Sequence, residues 1–160
     1  MADWLKVLIG TVAGLIVGLV SEPLKAWING KLKEKMIRDA LYTSMADLYG
    51  FFAARHDPAL RALYPSAFID SNLDIFDHYF STEKATFFRL REAPFVKTFF
   101  YLVRTAYVHM QEGSDTQQEE DGRSIVFCMK SGLESGSVND KRLRKLLAKG
   151  PSWRTTAPGA

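Results

Sequence analysis

The sequence predicts a mainly α-helical protein in which a single N-terminal transmembrane helix precedes a compact helical cytoplasmic domain. Residues 7–20 read VLIGTVAGLIVGLV, with no charged side chain and a single hydroxyl. A basic stretch follows, and beyond it apolar side chains recur at every third or fourth position, as they do in helices with one buried face. A short strand pair near 124–138 stays open as an alternative, because the apolar string 126–129 is short enough to be a strand.

The N-terminal apolar run is short for a bilayer core, which takes about 20 predominantly apolar residues. Its flanks extend it, since Trp4 and Leu5 precede it and Trp27 is placed like an interfacial aromatic residue on the other side. A secretory signal peptide would start with basic residues and end at a small-residue cleavage site, and a buried soluble helix would show a polar face. The N-terminal segment has no excess of basic residues at its start, no small-residue cleavage site and no polar face. We therefore predict a transmembrane helix over 1–22.

Three glycines mark one face of this predicted transmembrane helix. Gly10, Gly14 and Gly18 are spaced four apart and therefore lie nearly on one side of a helix. Small residues on a shared face let membrane helices approach closely. The spacing predicts that copies of this chain pack together in the membrane.

Residues 23–39 form a basic juxtamembrane connector. One basic residue, Lys6, precedes the apolar run, whereas five follow it within about 20 residues, the range over which this bias is counted: Lys25, Lys31, Lys33, Lys35 and Arg38. This bias predicts a cytoplasmic position for the remainder of the chain, and the same cations suit anionic lipid headgroups. Pro23 is suited to the first turn of a new helix, and Asn29 with Gly30 is a second candidate hinge.

The predicted cytoplasmic helical domain covers 40–150, and a mobile Pro/Gly/Thr-containing tail is predicted over 151–160. Its predicted helices share apolar residues at helical spacing, in most cases after a proline or a capping residue. With the helix that leads into the domain, they cover 31–52, 58–64, 72–80, 82–92, 94–111 and 140–149. The segment 113–122 contains no apolar residue, so we predict a solvated loop there.

Catalysis and metal binding find little support in the sequence. Asp70, Asp74 and His78 are four residues apart, with Asp77 beside them, and such groups can bind a metal ion or exchange protons. Acidic residues early in a helix are also favoured by its dipole. The single cysteine, Cys128, lies among apolar residues and reads as a buried side chain. We therefore expect neither an enzyme nor a bound cofactor.

A site for an anionic ligand is the stronger expectation. Cations alternate with aromatic rings in the middle of the chain, and the candidate ligand-binding residues are Lys84, Arg89, Arg91, Lys97, Tyr101 and Arg104. Cations beside rings suit phosphates and stacked bases together. A second basic cluster, in 141–149, suits an anion or a membrane surface. The plain alternative for both is an amphipathic helix whose long cations are solvated.

The architecture as a whole resembles that of membrane-anchored effectors of bacterial antiphage defence. A short anchor, a basic exit and a helix reading KMIRDALYTSMADLY lead into a small aromatic-rich domain. Within that group it is most similar to the small effectors of type III CRISPR systems that sense cyclic tetra-adenylate. The resemblance implies a homo-tetramer in the bacterial inner membrane. Its cytoplasmic domain would bind the cyclic nucleotide, but not long nucleic acids, and would signal to the transmembrane helices. It rests on architecture, and no family motif assigns a residue.

A membrane-tethered scaffold that recruits a protein partner without binding a nucleotide is the alternative hypothesis. Such a scaffold would present an exposed aromatic patch, for which Phe51, Phe52, Phe87 and Phe88 are the candidates. Sequence alone does not separate such a patch from core residues.

Overall fold

A computed structural model describes the backbone of residues 3–54, 66–113, 115–138 and 140–149, and the side chains of 21–53, 67–113, 116–138 and 141–148. All regular structure in these ranges is helical, which confirms the mainly α fold. The helices are α1 (Asp3–Ala54), α2 (Ser66–Thr82), α3 (Lys84–Phe87), α4 (Ala93–Glu112), α5 (Asp115–Glu134) and α6 (Asp140–Lys149). The predicted helix at 58–64 and the tail at 151–160 lie outside the described residues.

Helix α1 runs for 52 residues and includes Pro23. The break expected at Pro23 and the hinge expected at Asn29 and Gly30 were wrong, because the backbone is helical through both positions. A proline inside a helix removes one backbone hydrogen bond, but the turns on either side keep theirs. Gly30 has open space around it, so the helix there meets no packing conflict.

The predicted transmembrane segment falls largely on residues whose side chains are not described. Among the described residues, no helix combines the length and apolar character needed to cross a membrane. The side chains of 1–20 lie outside the described residues. The structure therefore does not test the predicted packing at Gly10, Gly14 and Gly18. The transmembrane helix and its glycine face therefore remain predictions.

The chain divides into two units, Met1–Met36 and Ile37–Ala160. The first unit contains the amino-terminal part of α1. The second contains the hydrophobic core, and it begins three residues before the predicted domain start at 40. We call Ile37–Ala160 the compact unit.

The core of the compact unit is rich in aromatic side chains. Its largest fully buried members include Tyr42, Phe52, Phe76, Phe87, Phe99 and Phe100. The predicted buried stripe of α1 faces this core, since its apolar residues from Ile37 to Phe52 recur at three and four. Helix α4 begins next to Pro94, as predicted, because a proline in the first turn gives up no helical hydrogen bond.

Two sequence predictions fail at α5. The loop predicted over 113–122 and the alternative strand pair near 124–138 were both wrong, because one helix covers Asp115–Glu134. Glutamine and glutamate favour helices even where no apolar residue marks the buried face. The buried positions are Gln118, Gly122, Ile125, Met129 and Gly132, which follow a helical spacing. The turn before α5 contains Gly113, whose φ of 78° suits glycine at a helix C-terminus.

The helices predicted at 72–80 and 82–92 also have different bounds. Helix α2 extends from Ser66 to Thr82, and α3 is a single turn, Lys84–Phe87. The chain then turns before Glu92, which occupies the N-cap position of α4. The predicted helix over 140–149 is confirmed as α6.

Ion pairs connect the first residues of the compact unit to the helices that pack against them. The Arg38 guanidinium pairs with the buried carboxylate of Glu92, and the Tyr42 hydroxyl donates to the same carboxylate at 3.3 Å. Arg142 of α6 pairs with Asp39 on the next position of α1. Helix α1 is thereby connected both to the N-cap residue of α4 and to α6.

Candidate anion-binding surface

Lys97 forms the centre of a surface built by α2, α4 and the turn after α3. Its ammonium group lies 5.8 Å from the ring centroid of Phe80 and 5.5 Å from that of Tyr101. Both distances are within the range in which a cation is attracted to the face of a ring. Tyr101 follows Lys97 by one helical turn on α4, and Phe80 comes from the last turns of α2. We call Phe80, Phe88, Lys97 and Tyr101 the Lys97 surface.

The rings of this surface rest on an aromatic core. Phe76 stacks on Phe100 with centroids 4.6 Å apart and on Phe80 with centroids 5.3 Å apart. Phe88 lies 5.8 Å from Phe80 and is 51% exposed, and Tyr101 is 44% exposed. The buried stack keeps Phe80 in place, while two neighbouring rings remain open to solvent.

Arg104 extends the same surface but is already engaged. One guanidinium nitrogen of Arg104 donates to both carboxylate oxygens of Asp77, at 2.7 and 2.6 Å. The two side chains are 44% and 49% exposed, so the pair contributes little to stability. The Asp77 carboxylate therefore competes with any anion for Arg104.

The structure brings together only some of the predicted ligand residues. Lys97, Tyr101 and Arg104 lie on successive turns of α4. The remaining three, Lys84, Arg89 and Arg91, are exposed on α3 and the turn after it. Arg89 donates to the backbone carbonyl of Ala85, and Phe88 reaches the α2 ring of Phe80. None of these three cations forms a hydrogen bond or ion pair with the α4 residues within the described chain.

The acidic face considered for catalysis takes part in helix packing. The Tyr107 hydroxyl donates to Asp70 at 2.9 Å, and Asp77 accepts from Arg104. Asp74 and His78 line a separate hollow of about 360 Å³ with Ile75 and other residues. Across the described ranges, no group of three or more histidine, cysteine, aspartate or glutamate side chains is arranged to hold a metal ion.

Cys128 is half-buried on α5. Burial raises the pKa of its thiol above the ordinary value, so the thiol is protonated at neutral pH. A protonated thiol is a poor nucleophile. The side chain acts as a small apolar group of the core rim.

Most of the residues proposed for the aromatic patch of the scaffold hypothesis are buried in the core. Phe51, Phe52 and Phe87 are buried, and Phe88 alone of the four is exposed. Sequence reasoning missed both the position of the Phe80 ring under Lys97 and the pairing of Asp77 with Arg104. Both features come from packing between α2 and α4, which no local pattern in the sequence reports.

Comparison with known proteins identifies no family model, no curated protein and no solved structure that matches this chain.

Proposed function

We propose that this chain is a membrane-anchored defence effector whose compact unit binds a cyclic oligoadenylate. Binding alters the packing of α4 against α1, and α1 transmits the change to the apolar N-terminal segment, which perturbs the membrane. The role is ligand sensing and membrane permeabilisation, without catalysis. Cyclic tetra-adenylate is the member of this ligand class that the family resemblance favours.

The arrangement of Lys97 between two rings is the observation that supports this proposal most. A phosphate needs a cation, and a purine base needs a ring face on which to stack. The Lys97 surface offers both, because the exposed Tyr101 ring lies 5.5 Å from the Lys97 ammonium group and the exposed Phe88 ring lies 5.8 Å from the Phe80 ring under Lys97. Stacking contributes about 1–3 kcal/mol per base in single-stranded nucleic-acid complexes.

The pairing of Arg104 with Asp77 affects how a phosphate would bind to this surface. In the absence of ligand, Arg104 is neutralised by Asp77. An incoming phosphate competes for Arg104, and the exposed position of the pair makes the exchange inexpensive. Arg104 then contributes a second cation about two helical turns from Lys97.

A route from this surface to α1 runs through Glu92. Helix α4 carries Lys97, and its N-cap residue, Glu92, pairs with Arg38 and accepts from Tyr42 on α1. A small displacement of α4 therefore acts on the first turns of α1 in the compact unit. A ligand shifts such an equilibrium only by its differential affinity for the two arrangements.

The membrane part of the proposal is supported by the sequence. The uncharged run 7–20, the basic residues that follow it and the glycines at 10, 14 and 18 suit a self-associating single-pass helix with a cytoplasmic compact unit. A homo-tetramer in the bacterial inner membrane is the assembly that the family resemblance favours.

Binding of cyclic tetra-adenylate to the full chain in lipid nanodiscs tests this function. We expect saturable binding that weakens with added salt, because exposed charges are screened. Lys97→Gln removes the central cation, and loss of a charge-assisted hydrogen bond weakens affinity by about 10- to 100-fold. Asp77→Asn releases Arg104 and removes a competing anion, so it tightens binding by about two- to fivefold.

Lys145→Gln is the matched control, since Lys145 is an exposed cation on α6 and the change in charge is the same. Opposite signs for Lys97→Gln and Asp77→Asn, with no change for the control, support the assigned surface. Equal weakening by Lys97→Gln and Lys145→Gln contradicts it. No binding of any cyclic oligoadenylate leaves the scaffold hypothesis ahead.

A further inference from the structure

Two glycines on the buried face of α5 have very different surroundings. A Cβ atom at Gly132 would overlap the ring of Phe95, so any larger residue there would displace that ring from its place between α4 and α5. At Gly122 the nearest atom to such a Cβ is the backbone oxygen of Phe52, at 3.9 Å. Glycine weakens a helix relative to alanine, and packing does not require it at Gly122. The missing side chain leaves space.

That space belongs to a hollow between the last turn of α1 and α5. Its volume is about 330 Å³, within the size range of small-molecule sites. Phe52, Gly122, Val126 and Phe127 give it a mainly apolar lining. All of these residues lie in the compact unit, on helices different from those that carry the Lys97 surface.

The rim of the hollow combines an exposed ring with two cations. Phe127 is 73% exposed, the highest value among the large hydrophobic side chains of the described chain. Arg123 and Lys130 also line the hollow, four residues before and three residues after Phe127, and so lie on the same face of α5. Arg123 pairs with Glu119 at 2.6 Å, but both side chains are largely exposed and the pair is easily exchanged.

These features define the chemistry of an occupant. An apolar group fits against Val126 and Phe127, and an anion attached to it is attracted by Arg123 and Lys130. The exposed face of the Phe127 ring favours a planar ring over an alkyl chain, because ring pairs gain from stacking beyond the area that they bury. Inorganic phosphate alone would leave the apolar lining uncovered.

We infer that the Gly122 hollow is a second ligand site, for a planar aromatic group bearing a phosphate or carboxylate. The ring lies against Phe127 in the space above Gly122, and the anion lies between Arg123 and Lys130. This site is independent of the Lys97 surface and of the proposed binding of cyclic oligoadenylate. Its natural occupant is either a nucleotide base with its phosphate or a simple aryl acid, since both have this chemistry.

Binding of 4-fluorophenyl phosphate to the full chain in nanodiscs tests the site. Broadening of the ligand's fluorine NMR signal reports binding, with empty nanodiscs as the blank. We expect competition by phenyl phosphate and by adenosine monophosphate, and none at equal concentration by phenol or inorganic phosphate. Stronger competition by the nucleotide identifies a nucleotide as the source, and stronger competition by phenyl phosphate identifies an aryl acid. Octanoate competing better than either ring compound overturns the assignment to a planar ring.

Gly122→Leu fills the hollow and is expected to weaken binding at least tenfold without lowering the melting temperature, because the Cβ has room. Gly30→Leu is the matched control, made at a helical glycine with open surroundings. Lys130→Gln, an exposed substitution that does not disturb folding, should weaken binding several-fold, whereas Lys97→Gln should leave it unchanged. Binding no stronger than to empty nanodiscs, or unchanged binding by Gly122→Leu, overturns the inference.

Discussion

Two stretches of helix α1 contain similar apolar side chains and place them differently. From 24 to 36, apolar residues recur every four positions, and Leu24, Ile28, Leu32 and Met36 are all exposed. From 37 to 52, they recur at three and four, and Ile37, Leu41, Met45, Leu48 and Phe52 are at most 2% exposed. The same type of side chain is thus core in one stretch and surface in the other.

The difference shows what each stretch is for. The second stretch is stabilised by packing against the aromatic core of the compact unit. The first stretch exposes a row of large apolar side chains with Trp27 among them, and such surfaces mark contacts with membranes or other proteins. Its lysines at 25 and 31 pair with Glu22 and Glu34 of the same helix. In the proposed function, this stretch lies next to the membrane.

Truncating a leucine in each stretch gives the largest expected contrast. Leu41→Ala removes a fully buried side chain and should lower the free energy of unfolding by about 2–5 kcal/mol. Leu32→Ala removes an exposed side chain and should change it by no more than about 0.5 kcal/mol. Urea unfolding of the full chain in nanodiscs, followed by circular dichroism, measures both. Similar losses for the two variants would mean that Leu32 is covered within the protein itself.

Neutralising a carboxylate that pairs with a basic residue of each stretch gives a smaller contrast. Glu92→Gln weakens the pair with Arg38, in which the Glu92 side chain is buried, and should cost about 2 kcal/mol because the guanidinium is partly desolvated. Glu22→Gln disrupts an exposed pair with Lys25 and should cost less than about 0.5 kcal/mol. The same unfolding experiment compares them. Equal losses in the free energy of unfolding would contradict the role of Glu92 as the link between α4 and α1.

Helices with strong local signals could be predicted from the sequence. Helix α4 was located by Pro94 and a repeating apolar face, and the buried stripe of α1 was located by its period. Helix α5 was missed in part because its first half has no apolar residue to mark a face, although Gln118 and Gly122 are buried there. The continuity of α1 across Pro23 was missed because a proline by itself indicates a helix boundary. Helix formation is cooperative, however, and the helical turns on both sides of Pro23 keep the helix continuous.

The candidate site could be predicted only in part. Lys97, Tyr101 and Arg104 share one face of a helix, so their proximity follows from spacing alone. The pairing of Arg104 with Asp77, the position of Phe80 under Lys97 and the space left by Gly122 depend on how helices pack against one another. These contacts join residues far apart in sequence, and no pattern within a single segment reports them.

Membrane integration of the full chain tests the central claim of a membrane-anchored sensor most directly. Membranes from expressing bacteria are washed at alkaline pH with carbonate, and inverted vesicles are treated with protease. The proposal predicts that the chain stays in the membrane pellet and that its compact unit is digested in inverted vesicles but protected in intact cells. Release of the chain into the carbonate supernatant, or digestion only from the outer face of the cell, would contradict it.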